Sequence, residues 1–147
     1  MPPAIGQRQL TIGELAAETG VATSTLRYWE ELGVLPPAAR VSGQRRYAAS
    51  AVMLVGEILL LQEAGFTLRE LKTYIGSRHS GGDDWRALAE RKLVELDEQI
   101  ARATAARTAI AHGLKCPHRS VDDCPNHAAV VTARLAGSPL SEAHAHR

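Results

Sequence analysis

Cys116 and Cys124 are separated by a seven-residue spacer, and each is followed directly by proline, Pro117 and Pro125. Two thiolates on one short loop can approach a soft monovalent ion from opposite sides, as linear coordination requires. His118 and His127 add a Cys-x-His and a Cys-x-x-His pair, a set that could offer zinc four ligands, and His112 is a further neighbour. The same thiols could instead form a reversible disulfide, or stay buried and free in a loop that packs over a dimer. The residues alone leave these chemistries open.

A second group of residues suits phosphate. No acidic residue occurs between Glu31 and Glu57, yet Arg40, Arg45 and Arg46 all fall there, so the segment is locally +3 within a chain of net charge +1. That small net charge excludes binding of nucleic acid by bulk charge and leaves room for a local patch. Arginines in such a segment would hold the protein in register on a duplex through charge-assisted bonds. Thr23, Ser24 and Thr25 open the preceding helical segment and Arg27 follows, supplying donors where a recognition helix meets the major groove. The plainer reading is a solvated charged turn beside an ordinary helix.

The elements that must position these groups follow from local signals. Thr11-Ile12-Gly13-Glu14 is a capping box and Gly20 a stop, which predicts a helix over 12–19. A second helix is expected over 23–32, closed by Gly33, and the pair reads as a helix-turn-helix. Ser42-Gly43 lies between two short extended runs and predicts a hairpin, the wing. Helical pattern resumes over 50–64. A second capping box, Thr67-Leu68-Arg69-Glu70, starts a helix ending near Ile75, and Gly81-Gly82 breaks the pattern.

Asp83 or Asp84 then caps a long helix to about His112. Its residues Ala89, Leu93, Leu96, Ile100, Ala103 and Ile110 recur at steps of four and three, with Arg107 interrupting, which is an imperfect heptad seam. Nothing else in the chain is left to cover so narrow a stripe, so the expected partner is a second copy, antiparallel or parallel, with Leu93, Leu96, Ile100, Ala103 and Ile110 at the interface; the plainer alternative is a helix folded back on its own domain. The expected organisation is a flexible N-terminus (1–9), a winged helix-turn-helix domain (10–80), a dimerisation helix (83–112), a cysteine loop with a short helix (113–135) and a disordered tail (136–147).

Composition agrees with a mainly α protein. Aromatics are only 4% of 147 residues, so the core must be built from Leu, Ile, Val and Ala. Two cysteines and no secretory signal point to the reducing cytoplasm. The most apolar stretch, 51–66, is interrupted by Glu57, Gln62 and Glu63 and is too short to span a bilayer, so no membrane partner is expected. A phosphate loop, a His-Glu-x-x-His motif and a nucleophile elbow are all lacking, so no enzyme is expected.

Thr25-Leu26-Arg27-Tyr28-Trp29-Glu30, then Gly33-Val34-Leu35, Arg40, Gly43, Arg45-Arg46-Tyr47 and Gln62-Glu63-Ala64-Gly65-Phe66-Thr67-Leu68 resemble the MerR family of transcription regulators. The resemblance implies a homodimer joined by an antiparallel coiled coil. It also implies binding to double-stranded promoter DNA with an over-long spacer, which the activated protein distorts so that RNA polymerase can engage both of its elements. Carried over by position, the resemblance implies DNA contact by Arg27, Tyr28, Arg45 and Tyr47, to which the charge and helix-start reading above adds Thr23, Ser24, Arg40 and Arg46. Leu26 and Trp29 are core, and Glu30 is structural. Gln44 departs from the aromatic usual in the wing. The cysteine loop is similar to that of the metal-sensing, copper-efflux branch, which implies monovalent copper, silver or gold at Cys116 and Cys124; zinc with His118 or His127 is the secondary choice that the residues themselves offer. Redox-responsive and small-molecule-responsive regulators, and an architectural protein that senses nothing, are the competing expectations.

Overall fold

The computed structural model describes residues 8–143. Its elements are β1 (Gln9–Leu10), α1 (Ile12–Thr19), α2 (Thr23–Leu32), β2 (Ala39–Val41), β3 (Gln44–Ala48), α3 (Ser50–Glu63), α4 (Leu68–Ser80), α5 (Asp84–Lys115), a 3-10 turn (Val121–Asp123), α6 (Pro125–Leu135) and α7 (Leu140–Ala143). The fold is mainly α, as expected. Among the described residues, no helix is long and apolar enough to cross a membrane.

Both capping boxes close reciprocally. The Glu14 and Glu70 amides donate to the hydroxyls of Thr11 and Thr67, and the two carboxylates accept from the cap amides in return. In the wing, β2 and β3 are joined by Ser42 and Gly43 with φ of 51° and 78°, the pair of positive angles that a tight type I′ hairpin turn demands. β1 completes a three-stranded antiparallel sheet in the order β1-β3-β2, with Gln9 opposite Ala48 and Leu10 opposite Tyr47. Gln9 therefore belongs to the sheet and not to a flexible N-terminus; residues 1–7 lie outside the described residues.

The chain divides into two compact units, Met1–Lys92 and Leu93–Arg147. The core of the first is aliphatic, with Leu15, Leu26, Val55, Ile58 and Leu71 fully buried. It also contains an aromatic relay: the rings of Phe66 and Tyr74 lie 5.1 Å apart and those of Tyr74 and Trp85 5.8 Å apart. Lys92 is buried, with its ammonium 3.1 Å from the Gly65 carbonyl, 3.5 Å from Glu70 and over the Phe66 ring.

These contacts correct two expected boundaries. α4 continues to Ser80, where Gly81 with φ of 79° ends it. The opening turns of α5 belong to the first unit, because Trp85, Leu88, Ala89 and Lys92 pack into its core. The heptad seam available to a partner therefore starts at Leu93, and the helix runs on to Lys115.

The second unit holds the rest of α5, the cysteine loop, α6 and α7. Pro125 at the first position of α6 sets its start, and Cys124 caps it. α7 replaces part of the expected disordered tail with a helical turn at Leu140–Ala143; residues 144–147 lie outside the described residues.

Candidate functional site

The first candidate surface is built from α2 and the wing. α2 starts from Ala22, which offers no side-chain cap, so its opening amides are free of the bond a Ser or Thr cap would make. Thr23 there is half-buried, and Ser24, Arg27 and Tyr28 are exposed, Tyr28 at 51%. Leu26 and Trp29 point the other way into the core.

The wing register places Arg40 directly opposite Arg45. Like charges facing each other across a hairpin are destabilising, so this pair costs folding energy unless an anion sits between them. Arg40 is exposed and makes only a 3.5 Å contact with the Gly43 carbonyl. Arg46 donates to Gln44 at 3.2 Å, which gives the unusual Gln44 a role in holding that arginine.

Glu30 fastens the wing to α2. Its carboxylate accepts the Tyr47 hydroxyl at 2.8 Å and the Ala38 amide at 3.3 Å, and lies 3.4 Å from Arg45 Nε in an ion pair. Tyr47 is only 3% exposed. This corrects the expectation that Tyr47 touches DNA: its phenol is spent inside the fold, so it positions the wing. Alternation along β3 explains the placement, since Arg45 and Tyr47 share the inward face while Gln44 and Arg46 share the other. Burial first, then the bond to and the charge of Glu30, push the Tyr47 phenol up to about 12.

The second candidate surface is the thiol site. Cys116 and Cys124 are free, with sulfurs 3.8 Å apart. Cys124 is buried at the start of α6. The backbone N–H of His127 chiefly, helped by the Cys116 thiol and the Asn126 amide, holds the Cys124 thiol below its usual range. A depressed thiol beside a second thiol is a donor set suited to a metal ion.

Here the structure departs from the expected histidines. The donor atoms that lie within 4.8 Å of one another belong to His112, Cys116 and Cys124. His118 and His127 line the same cavity outside that cluster. The sequence carries a spacing signal for this, because His112 falls in the last turn of α5, four residues before Cys116, which directly follows the helix.

The proposed dimer residues lie in the second unit. Leu93, Ile100 and Ile110 are more than 60% exposed, Ala103 is exposed and Leu96 half-buried. They form an exposed aliphatic stripe along one helix.

Two family models match the chain. One describes a MerR HTH family regulatory protein and covers residues 10–77; the other, described as MerR, DNA binding, covers residues 55–113. The nodulation protein NolA of Bradyrhizobium sp. (strain NC92) is 36% identical over 102 residues, 69% of this chain and 41% of that protein. The chain thus spans less than half the length of that relative. A heavy metal-dependent transcription regulator 2 of Rhizobium meliloti (strain 1021) is 26% identical over 121 residues, 79% of this chain and 82% of that one. Among solved structures, HiNmlR, a MerR family regulator lacking the sensor domain and bound to promoter DNA, superposes with a TM-score of 0.56 at 22% identity, covering 89% of this chain and 97% of its own; at that identity it speaks to the fold.

Proposed function

Because the chain belongs to the MerR family of helix-turn-helix regulatory proteins, we propose that it is a transcription regulator that binds promoter DNA as a homodimer and responds to an effector at its cysteine loop. The observation that carries this reading is the tie between α2 and the wing: Glu30 holds Tyr47, Arg45 and Ala38, so the exposed Arg27, Tyr28 and Ser24 and the wing arginines belong to one fastened head. Thr23, Ser24, Arg27 and Tyr28 enter the major groove, and Arg40, Arg45 and Arg46 bind the phosphate backbone beside it. HiNmlR, which shares the fold, is bound to promoter DNA.

The exposed Leu93–Ile110 stripe supports pairing of two copies through α5, an antiparallel pairing in the family pattern. The dimer would then bend and untwist an over-long promoter spacer so that RNA polymerase engages both elements. Deforming a site of this size costs on the order of 1–6 kcal/mol. Effector coupling of about 1–3 kcal/mol is enough to tip such a balance. This would take place in the cytoplasm, where free thiols persist beside DNA.

Cys116 and Cys124 would hold the effector, a thiophilic metal ion. The depressed thiol of Cys124, its 3.8 Å neighbour Cys116 and a relative named as heavy metal-dependent support this. A thiolate pair alone suits monovalent copper, silver or gold; adding histidine brings in zinc. A bound ion would supply a crosslink between the end of α5 and the start of α6. A redox reading of the same pair also draws on the 3.8 Å separation of two free thiols. Transcription from the cognate promoter, measured with Cys116→Ser and Cys124→Ser variants, tests the effector: induction should disappear while promoter binding stays. Normal induction in both variants would remove the metal and redox readings together.

A further inference from the structure

The end of α5, the loop and the start of α6 enclose a cavity of about 340 Å³. The three donor atoms of His112, Cys116 and Cys124 lie within 4.8 Å of one another in it, graded from exposed His112 to buried Cys124. The separation of the two sulfurs, 3.8 Å, carries geometric information. A tetrahedral ion with bonds of about 2.3 Å to sulfur sets two thiolates about 3.8 Å apart, whereas a linear ion with bonds of that length spreads them to about 4.6 Å. The two sulfurs thus stand at the separation of a tetrahedral edge, and a ring nitrogen of His112 lies within 4.8 Å of both.

We propose that His112 joins Cys116 and Cys124 in a three-donor site whose selectivity is thereby shifted from monovalent copper-group ions to a divalent ion of zinc type, with a fourth position left to water or another donor. The inference rests on the reading of the loop as a metal site and adds its ion class. Two thiolates satisfy a soft monovalent ion without help, so an imidazole adds little for it. A divalent borderline ion gains a full ligand from the same ring. His112 reaches the site because it lies in the last turn of α5, which ends at Lys115 just before Cys116, so the third donor comes from a helix and not from the loop.

The test uses the full reduced chain, wild type, His112→Ala and Cys116→Ser, titrated with zinc and separately with monovalent copper against competing chelators, and with cobalt(II) as a spectroscopic stand-in for zinc. Alanine is well tolerated at an exposed helical position, so the His112→Ala chain should fold. Zinc affinity should fall by about tenfold or more in His112→Ala, with altered cobalt ligand-field bands, while copper affinity changes by less than about twofold. Cys116→Ser should lose both ions. Unchanged zinc affinity and an unchanged cobalt spectrum in His112→Ala, with Cys116→Ser still defective, would overturn the role of His112 and leave the metal reading standing. A wild-type chain that holds neither zinc nor copper would remove the metal reading and this inference with it.

Discussion

The hydroxyl of Tyr47 donates to Oε2 of Glu30 at 2.8 Å, joining the last strand of the wing to the second helix of the helix-turn-helix. Arg45 meets the same carboxylate, so one half-buried acid in α2 fixes the angle at which the wing stands. Removing the hydroxyl in Tyr47→Phe should cost about 1.5–3 kcal/mol, the usual worth of a hydrogen bond to a charged group. The pH dependence has a definite sign. The folded phenol titrates near 12, above its ordinary 10, so its stabilisation is present below pH 10 and is lost as pH rises towards 12. Urea unfolding at pH 8 and pH 11 should show a loss of stability at high pH in the wild type that is smaller in Tyr47→Phe.

Arg40 and Arg45 face each other across the hairpin but differ in their ties, and their variants should differ in the same way. Arg40→Ala should weaken binding to all duplexes alike, lower the salt slope by about one, and leave folding stability unchanged or slightly raised through relief of the like-charge pair. Arg45→Ala should weaken binding in the same manner and also lower the melting temperature, since it breaks the contact with Glu30. Duplex titrations at several salt concentrations, beside thermal unfolding, separate the two; an unchanged affinity in Arg45→Ala contradicts its assignment.

Lys92 anchors the first turns of α5 to the loop before α4. Lys92→Ala strands the Gly65 carbonyl and removes a charge from Glu70, which should destabilise the first unit by about 1–3 kcal/mol in urea. The amide of Thr67 chiefly, then its hydroxyl and Lys92, hold the Glu70 carboxyl below its usual range. That contribution to stability is present above the ordinary carboxylate range and is lost as the solution is acidified. Acid unfolding of Lys92→Ala should therefore be shallower than that of the wild type.

Ile100 is 63% exposed on the α5 stripe, so a charge there costs the single chain little. Ile100→Glu together with Leu96→Glu should leave the first unit folded and yield a monomer in sedimentation, with DNA affinity falling as the second head is lost. A stable dimer from this variant would refute the α5 interface.

Local chemistry was legible in the sequence and tertiary partnership was not. The two capping boxes, the Ser42-Gly43 turn and the glycine stops depend on residues within four positions of one another, and each was readable from order alone. β1 was missed because a two-residue strand has no period and exists only by pairing with Tyr47 and Ala48. The burial of Lys92 was invisible for the same reason, since its partners lie 22 and 27 residues away. The motif resemblance places Tyr47 at the DNA, whereas strand alternation beside Arg45 turns it inward. At the cysteine loop, the Cys-x-His and Cys-x-x-His spacings point to His118 and His127. The helical four-residue step, which selects His112, was the stronger signal.

Selection of binding sites from a random duplex pool by the full-length chain, followed by footprinting of the enriched sequence, tests the regulator assignment most directly. One enriched inverted repeat protected on both halves is the expected result, with protection weakened in Arg27→Ala. No enrichment above the starting pool would contradict it.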